Sequence, residues 1–370
     1  MNKKYIKLID FDGIRKNNFT AIRIFFAWLV LYGHSYAIEK SHGIVDPLNA
    51  LFKGSTWIGA IAVNGFFVIS GYLVAGSFAK RGFFNFIISR SLRIYPALIF
   101  CILFSIFFIG PIFTELEIDK YFNSKITWHY FRNMLAALEM KWYLPGVFEK
   151  NSFPSINGSL WSLTVEVRCY VILACLGLAS VFKNRFTLNF SIVSIFTLGI
   201  FFYDQFPLIG SNNRYLRPSM YFLIGVLFYS NRKNIVIDTK ILIFCTILMF
   251  ISFGKKWFDY SFPLAFSYSI FYIAYNTRYL EIDKYIGDLS YGIYIFSWPI
   301  QQSVAQLFPI IGPIGNTIIS TFLVMIMAYL SWHYIEKPTL SLKHKLLNQR
   351  NLPDSVTSKS EPPHYYNEVR

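Results

Sequence analysis

Residues 17–38 read NNFTAIRIFFAWLVLYGHSYAI, an apolar run long enough to cross a bilayer as a helix, yet interrupted by Arg23 and His34. An ionisable group at membrane depth costs at least ~2.5–3.5 kcal/mol on the mildest insertion scale, so its presence marks a candidate functional site. The interval between the two is close to three helical turns, which places both side chains on one face and separates them by roughly 16 Å along the axis. For a helix that starts near Phe19, His34 lies roughly 22 Å from that end, in the far half of the membrane. A neutral imidazole there can take a proton from an alcohol; a structural histidine bonded to a neighbouring helix is the plainer alternative. Arg23, one turn inside, either snorkels its guanidinium to the interface or clamps a phosphate or carbonyl in an internal cavity.

Working outward, the chain of 370 residues is 54% hydrophobic and only 15% charged. Soluble domains carry about 25% charged residues, so the composition is that of an integral membrane protein. The net charge of +15 sits between apolar runs, the arrangement of cytoplasmic loops, and no nucleic-acid partner is expected from it. Apolar runs at 19–38, 56–78, 94–113, 159–182, 186–203, 216–230, 238–254, 261–276, 285–307 and 312–334 predict an all-α polytopic helix bundle of about ten transmembrane helices. The bundle occupies residues 1–340. A cytoplasmic tail follows over 341–370, expected to be partly disordered because it is polar and rich in Pro and Ser from Asn351. The first run, too long for a signal core and without a small-residue cleavage site, reads as a retained span.

With the N-terminus inside, basic residues on the cytoplasmic side outnumber the outer ones about two to one, although Lys255 and Lys256 fall on the wrong side. Both termini are then cytoplasmic. Cys101, Cys169, Cys175 and Cys245 all fall in apolar runs without metal-ligand spacing; they read as buried structural thiols, and no metal is expected. Within the long outer segment 114–158, TWHYFRNMLAALEMKWYL (127–144) predicts an interfacial helix.

Four further stretches carry candidate chemistry. SFAKRGFFNFIISRSLRIYP (77–96) places Arg90 and Arg93 on one helix face with Lys80 and Arg81 upstream. Four cations at one mouth suit a polyphosphorylated ligand, and ordinary topology determinants look the same. SLWSLTVEVRCY (159–170) buries Glu166 and Arg168 about 200° apart, so each needs a partner elsewhere, while Tyr170 shares the face of Glu166. VNGFFVISGYLVAG (63–76), with Asn64, Ser70, Gly71 and Tyr72, permits a helix break, close approach to a ligand, or tight helix packing. LSYGIYIFSWPIQQ (289–302) and HYIEKPTL (333–340) supply Ser290, Tyr291, Tyr294 and Glu336.

Taken in order, these stretches resemble the membrane acyltransferase family 3, the O-acetyltransferases of bacterial surface polysaccharides and related substrates. The resemblance rests on the Arg23–His34 interval, FFVISGYL, RSLRIYP, WSLTVE, SYGIYIF and EKP, and runs from about residue 17 to 340. It implies transfer of an acyl group, usually acetyl, from cytoplasmic acetyl-coenzyme A to a hydroxyl of a glycan such as O-antigen or exopolysaccharide, at the bacterial inner membrane. It also implies His34 as catalytic base, with Glu166 orienting His34 or the acceptor. The donor side would comprise Arg23, Arg90, Arg93, Lys80, Arg81, Ser70 and Tyr72, and the acceptor side Trp161, Ser162, Tyr170 and Tyr291. Three departures stand out: Val167 replaces a second acid, Ser297 precedes Trp298 where many members carry a histidine, and the extra outer hydrolase-like domain of some members is absent. The rivals are a transporter or flippase for lipid-linked sugars and a polysaccharide polymerase, neither of which requires the R-x-x-R stretch.

Overall fold

The computed structural model describes residues 5–342 except 15, 53, 55, 136–139, 203–212 and 256; the expected tail from Asn351 lies outside them. The described residues form helices and loops, with two isolated antiparallel bridges, Lys7–Val236 and Thr114–Val147, and no strand. The long helices are α1 (Phe19–Ile38), α3 (Ile58–Phe104), α7 (Leu160–Leu178), α8 (Arg185–Phe201), α9 (Asn213–Ser230), α10 (Thr239–Ser252), α11 (Phe258–Asn276), α13 (Ser290–Leu307) and α14 (Gly312–Ser331). Short helices lie between them: α2 (Pro47–Leu51), α4 (Gly110–Phe113), α5 (Ile118–Asn123), α6 (Lys125–His129) and α12 (Ile282–Tyr285).

Helix α3 is two helices joined at a corner. A straight run of its 47 residues would reach ~70 Å, more than twice the hydrocarbon thickness of a bilayer. The corner is Gly82, whose φ of 74° and ψ of 179° suit glycine and few other residues. The rings of Phe78 and Phe86, on either side of it, approach to 5.4 Å, so the second arm folds back along the first. The basic loop expected around 79–93 therefore shrinks to a single residue. Arg90 and Arg93 stand on regular helix that continues through Pro96.

Helix occupies each of the ten expected apolar segments. Among the described residues, four stretches could cross a membrane by length and composition: Phe19–Ile38, Ile58–Phe113, Leu160–Leu178 and Gly312–Leu342. Arg185–Phe201 and Thr239–Ser252 are apolar but shorter, so length and composition alone support fewer crossings than ten. The chain is a multi-pass, all-α membrane bundle. Cys101, Cys169 and Cys245 are buried as expected, whereas Cys175 is exposed on the flank of α7.

One end of the bundle gathers the N-terminal segment, the Gly82 corner and the turn after α9. Leu8 N–H donates to the Ile235 carbonyl at 2.8 Å, and Asp12 bonds Lys80 at 2.8 Å and Arg232 at 3.3 Å. At the opposite end, the expected helix over 127–144 is cut short. Helix α6 stops at His129, a 3-10 turn follows over Tyr130–Leu135, and residues 140–144 are not helical. The physical reason is Asn133, whose amide pairs with both the N–H and the C=O of Lys141 at 2.8 Å; residues 136–139 of the expected helix lie outside the described ones. Further on, residues 151–157 are fastened onto α13. Trp298 Nε1 donates to the Ser155 carbonyl at 3.0 Å, Gln302 donates to the Ser155 and Phe153 carbonyls, and Asn157 donates to the Ile295 carbonyl at 2.8 Å.

The first arm of α3 crosses α9 at backbone contact. A Cβ at Gly71 would lie 2.0 Å from the Phe222 carbonyl oxygen, and one at Gly225 would lie 2.2 Å from that of Val68. Small residues permit such crossings between membrane helices, and overpacking typically costs ~1–3 kcal/mol. Gly225→Val should therefore lower the thermal midpoint of the detergent-solubilised protein by several degrees, read by fluorescence-detected size exclusion. Gly76→Ala, facing only the Tyr229 ring at 3.0 Å, should do less.

Candidate active site

Two cavities follow one another along the bundle. The basic cavity, about 820 Å³, is lined by Arg23 of α1, by Ser70, Arg90 and Arg93 from both arms of α3, and by Glu166 and Tyr170 of α7. The aromatic cavity, about 1770 Å³, is lined by His34, Trp57, Trp142, Trp161, Arg217 and Trp298 among others. Val63 lines both.

The arginines are held by a carboxylate that the sequence analysis did not single out. Asp288, in the loop before α13, takes Arg23 at 3.0 Å and Arg93 at 2.8 Å on the same oxygen, Oδ2. Its other oxygen accepts from the Ser290 hydroxyl at 2.6 Å. Arg93 also reaches Glu336 at 3.4 Å and sits 5.7 Å over the Tyr291 ring. Tyr291 in turn donates to the Ile94 carbonyl at 2.9 Å, two residues before Pro96. Arg90 makes no ion pair with a described carboxylate; its guanidinium lies 5.9 Å from the centre of the Tyr170 ring. The Nε atoms of Arg23 and Arg90 are both buried without a hydrogen-bond partner among the described residues. Unpartnered guanidinium N–H groups beside a cavity fit the oxygens of a phosphorylated ligand.

Glu166 is served differently. Its Oε1 accepts from the Ser70 hydroxyl at 3.0 Å and from the Tyr170 hydroxyl at 2.5 Å. One turn N-terminal to it, the Ser162 hydroxyl lies 2.5 Å from that of Tyr294, which donates to the Ser159 carbonyl at 3.0 Å.

His34 is 4% exposed. Its ring meets Trp298 edge to face at 4.7 Å and lies 5.8 Å from Trp57, and its Nδ1 has no hydrogen-bond partner among the described residues. The rotation of α1 is fixed by polar contacts with α13 and α14. Gln301 donates to the Leu31 carbonyl at 2.9 Å and to Ser35 at 2.6 Å, while Thr317 donates to Ser35 at 2.8 Å and Asn316 to Glu39 at 2.8 Å. His34 is thereby aimed at the aromatic cavity by bonds its own ring does not make.

The structure brings together Arg23, Ser70, Arg90, Arg93, Ser162, Glu166, Tyr170 and Tyr291 around the basic cavity. It places His34 and Trp161 around the aromatic one, with Trp161 stacked 6.1 Å from Tyr215. Glu166 and His34 thus line different cavities. Lys80 is engaged by Asp12 at the end of the bundle, and Arg81 is exposed at the Gly82 corner; neither lines the basic cavity. Tyr72 is buried among Phe19, Tyr229 and Phe271, in the core between α1, α3, α9 and α11.

Comparison with known proteins gives the constellation its family. A family profile described as an acyltransferase domain, acyltransferase 3, matches residues 16–333. The chain belongs to the acyltransferase 3 family. Among its relatives is a protein named O-acetyl transferase from Shigella phage Sf6, 30% identical over 346 residues that cover 88% of this chain and 97% of the relative. A second, Nodulation protein 10 of Rhizobium leguminosarum bv. viciae, is 25% identical over 370 residues, covering 90% of this chain and 96% of that protein. No solved structure matches. As an acyltransferase of family 3, the chain is an enzyme, and the transporter and polymerase readings lose their support.

In this acyltransferase, Asp288 is the counter-ion that lets two arginines share a wall. Removing one member of a buried pair costs up to ~3–5 kcal/mol because a charge is left uncompensated. Asp288→Ala should lower the thermal midpoint clearly, and adding Arg23→Ala should restore part of the loss. An unchanged midpoint in the single variant would remove the counter-ion role.

Proposed function

We propose that this enzyme moves an acetyl group from acetyl-coenzyme A to a hydroxyl of a cell-surface polysaccharide, in the bacterial inner membrane, with both termini cytoplasmic. One observation carries the reading: a cavity lined by guanidinium groups and a cavity lined by a buried imidazole share one lining residue, Val63. The polysaccharide is of the O-antigen or exopolysaccharide kind; the name of the phage relative, O-acetyl transferase, supports an acetyl donor and an oxygen acceptor.

In this reading, Arg90 and Arg23 grip donor phosphates with N–H groups that no described residue engages. Arg93 is held by Asp288 and Glu336 and keeps the wall positive without being drawn out of place. Acetyl-coenzyme A supplies a thioester on a long flexible arm, able to extend from the phosphates towards Val63. The walls of the aromatic cavity, Trp57, Trp142, Trp161 and Trp298, offer flat apolar faces to the C–H surfaces of a sugar. His34 accepts the proton of the sugar hydroxyl as its oxygen forms the new C–O bond. The C–S bond breaks, and the departing thiolate takes up a proton, so the products are an ester and a free thiol. Glu166, bonded to Ser70 and Tyr170, orders the donor side instead of orienting His34.

General-base assistance contributes ~10²–10⁴-fold, so His34→Ala should lose transfer by about that factor while accumulating normally in the membrane. Purified enzyme, labelled acetyl-coenzyme A and candidate glycans provide the assay; full activity in a well-folded His34→Ala variant would sink the base assignment. Arg90→Ala should weaken acetyl-coenzyme A binding at least about tenfold, the worth of one charge-assisted hydrogen bond. Isothermal titration reads this directly, and unchanged binding would detach Arg90 from the donor.

A further inference from the structure

Resting on the acyl-transfer reading, the geometry assigns a further role to the seam between the cavities: we infer that Val63 sets the length of acyl group the enzyme transfers. Bond formation requires the hydroxyl oxygen and the thioester carbon within about 3–3.5 Å, with the base in hydrogen-bond reach of the hydroxyl. The arginines that suit the donor and the histidine that suits the base open on different cavities. The reacting carbon must then sit between the two, and the residue common to both linings is Val63. The substituent on that carbon, a methyl group for acetyl, has to fit against the Val63 side chain.

The seam is built to resist widening. Gly65, two residues on, carries the Phe26 ring so closely that a Cβ would lie 2.2 Å from it, which locks this turn of α3 onto α1. Phe66 lies edge-on to Tyr294 at 5.9 Å, and Tyr294 is tied to α7 through Ser162 and the Ser159 carbonyl. On the far side, the Trp298 ring presses on Gly158, where a Cβ would lie 2.6 Å away, and its indole N–H is bonded to Ser155. Val63 itself is 4% exposed. A constriction whose walls are each held by a second contact discriminates by volume, because close-packed side chains transmit a misfit instead of absorbing it. One extra methylene in such a pocket changes selectivity by about 10–200-fold.

The test measures kcat/KM for acetyl-, propionyl- and butyryl-coenzyme A with purified full-length enzyme and one glycan acceptor. Wild-type enzyme should prefer acetyl over butyryl by at least about tenfold. Val63→Ala should narrow or reverse that ratio by about tenfold or more, and Val63→Ile should sharpen it, while acetyl-coenzyme A binding and the elution profile of each variant report folding and donor docking. A preference that stays the same in well-folded Val63→Ala and Val63→Ile would overturn the inference. Absence of any acyl transfer by the wild-type enzyme would instead strike the underlying reading, so the two failures are distinguishable. Val63→Trp completes the set: transfer lost with donor binding kept supports a junction at this residue, and transfer kept excludes it.

Discussion

Three guanidinium groups lining one cavity repel one another, and at an effective dielectric of about 20 each pair a few ångströms apart is worth several kcal/mol. A single carboxylate oxygen resolves the conflict. Asp288 Oδ2 holds Arg23 of α1 and Arg93 of the second arm of α3 together, and its partner oxygen is steadied by Ser290 at the start of α13. Glu336 adds a fourth element by engaging Arg93 from beyond α14. The consequence is a division of labour among like charges. Arg93 is spent largely on protein carboxylates, whereas Arg90 and one edge of Arg23 keep N–H groups without partners among the described residues. The same ion cluster therefore joins distant parts of the chain and leaves capacity for an anion.

The second constraint is the corner at Gly82. By turning the chain back on itself, it lets one continuous stretch furnish Val63 and Ser70 from one arm and Arg90 and Arg93 from the other. Ser70 and Arg93 would be about 35 Å apart on a straight helix, yet they line the same cavity. The backbone crossing of Gly71 and Gly225 then holds the first arm against α9 at main-chain contact, next to Ser70 of the cavity wall.

Much of this was legible in the sequence because membranes punish exceptions. Arg23, His34 and Glu166 were conspicuous as ionisable groups in apolar runs, and the R-x-x-R spacing put Arg90 and Arg93 on one face. Asp288 was not legible: an acid two residues before a serine at a helix start reads as an ordinary end-of-helix group. Its meaning appears only when arginines 265 and 195 positions away arrive beside it. Lys80, Arg81 and Tyr72 lie away from the basic cavity. They stood beside informative residues in the sequence, but the Gly82 corner turns both cations to the end of the bundle, and the helical rotation of Tyr72 sends it into the aromatic core. Periodicity likewise missed the break at Asn133, where one side-chain amide overrides a good helical pattern.

The segment over residues 151–157, whose Phe153 lines the aromatic cavity, is tied to α13 in both directions. Helix α13 donates through Trp298 and Gln302 to the main-chain carbonyls of Phe153 and Ser155, while Asn151 and Asn157 donate back to the Gln302 and Ile295 carbonyls. At Phe153 and Ser155 the bonding group is a main-chain carbonyl, present whatever the side chain, whereas Asn151 and Asn157 hold through their side-chain amides. Substitution at Phe153, which lines the cavity, can reshape what docks there without loosening these bonds. Such wiring leaves the shape of the aromatic cavity open to change at Phe153 while the bonds of its main chain to α13 are kept.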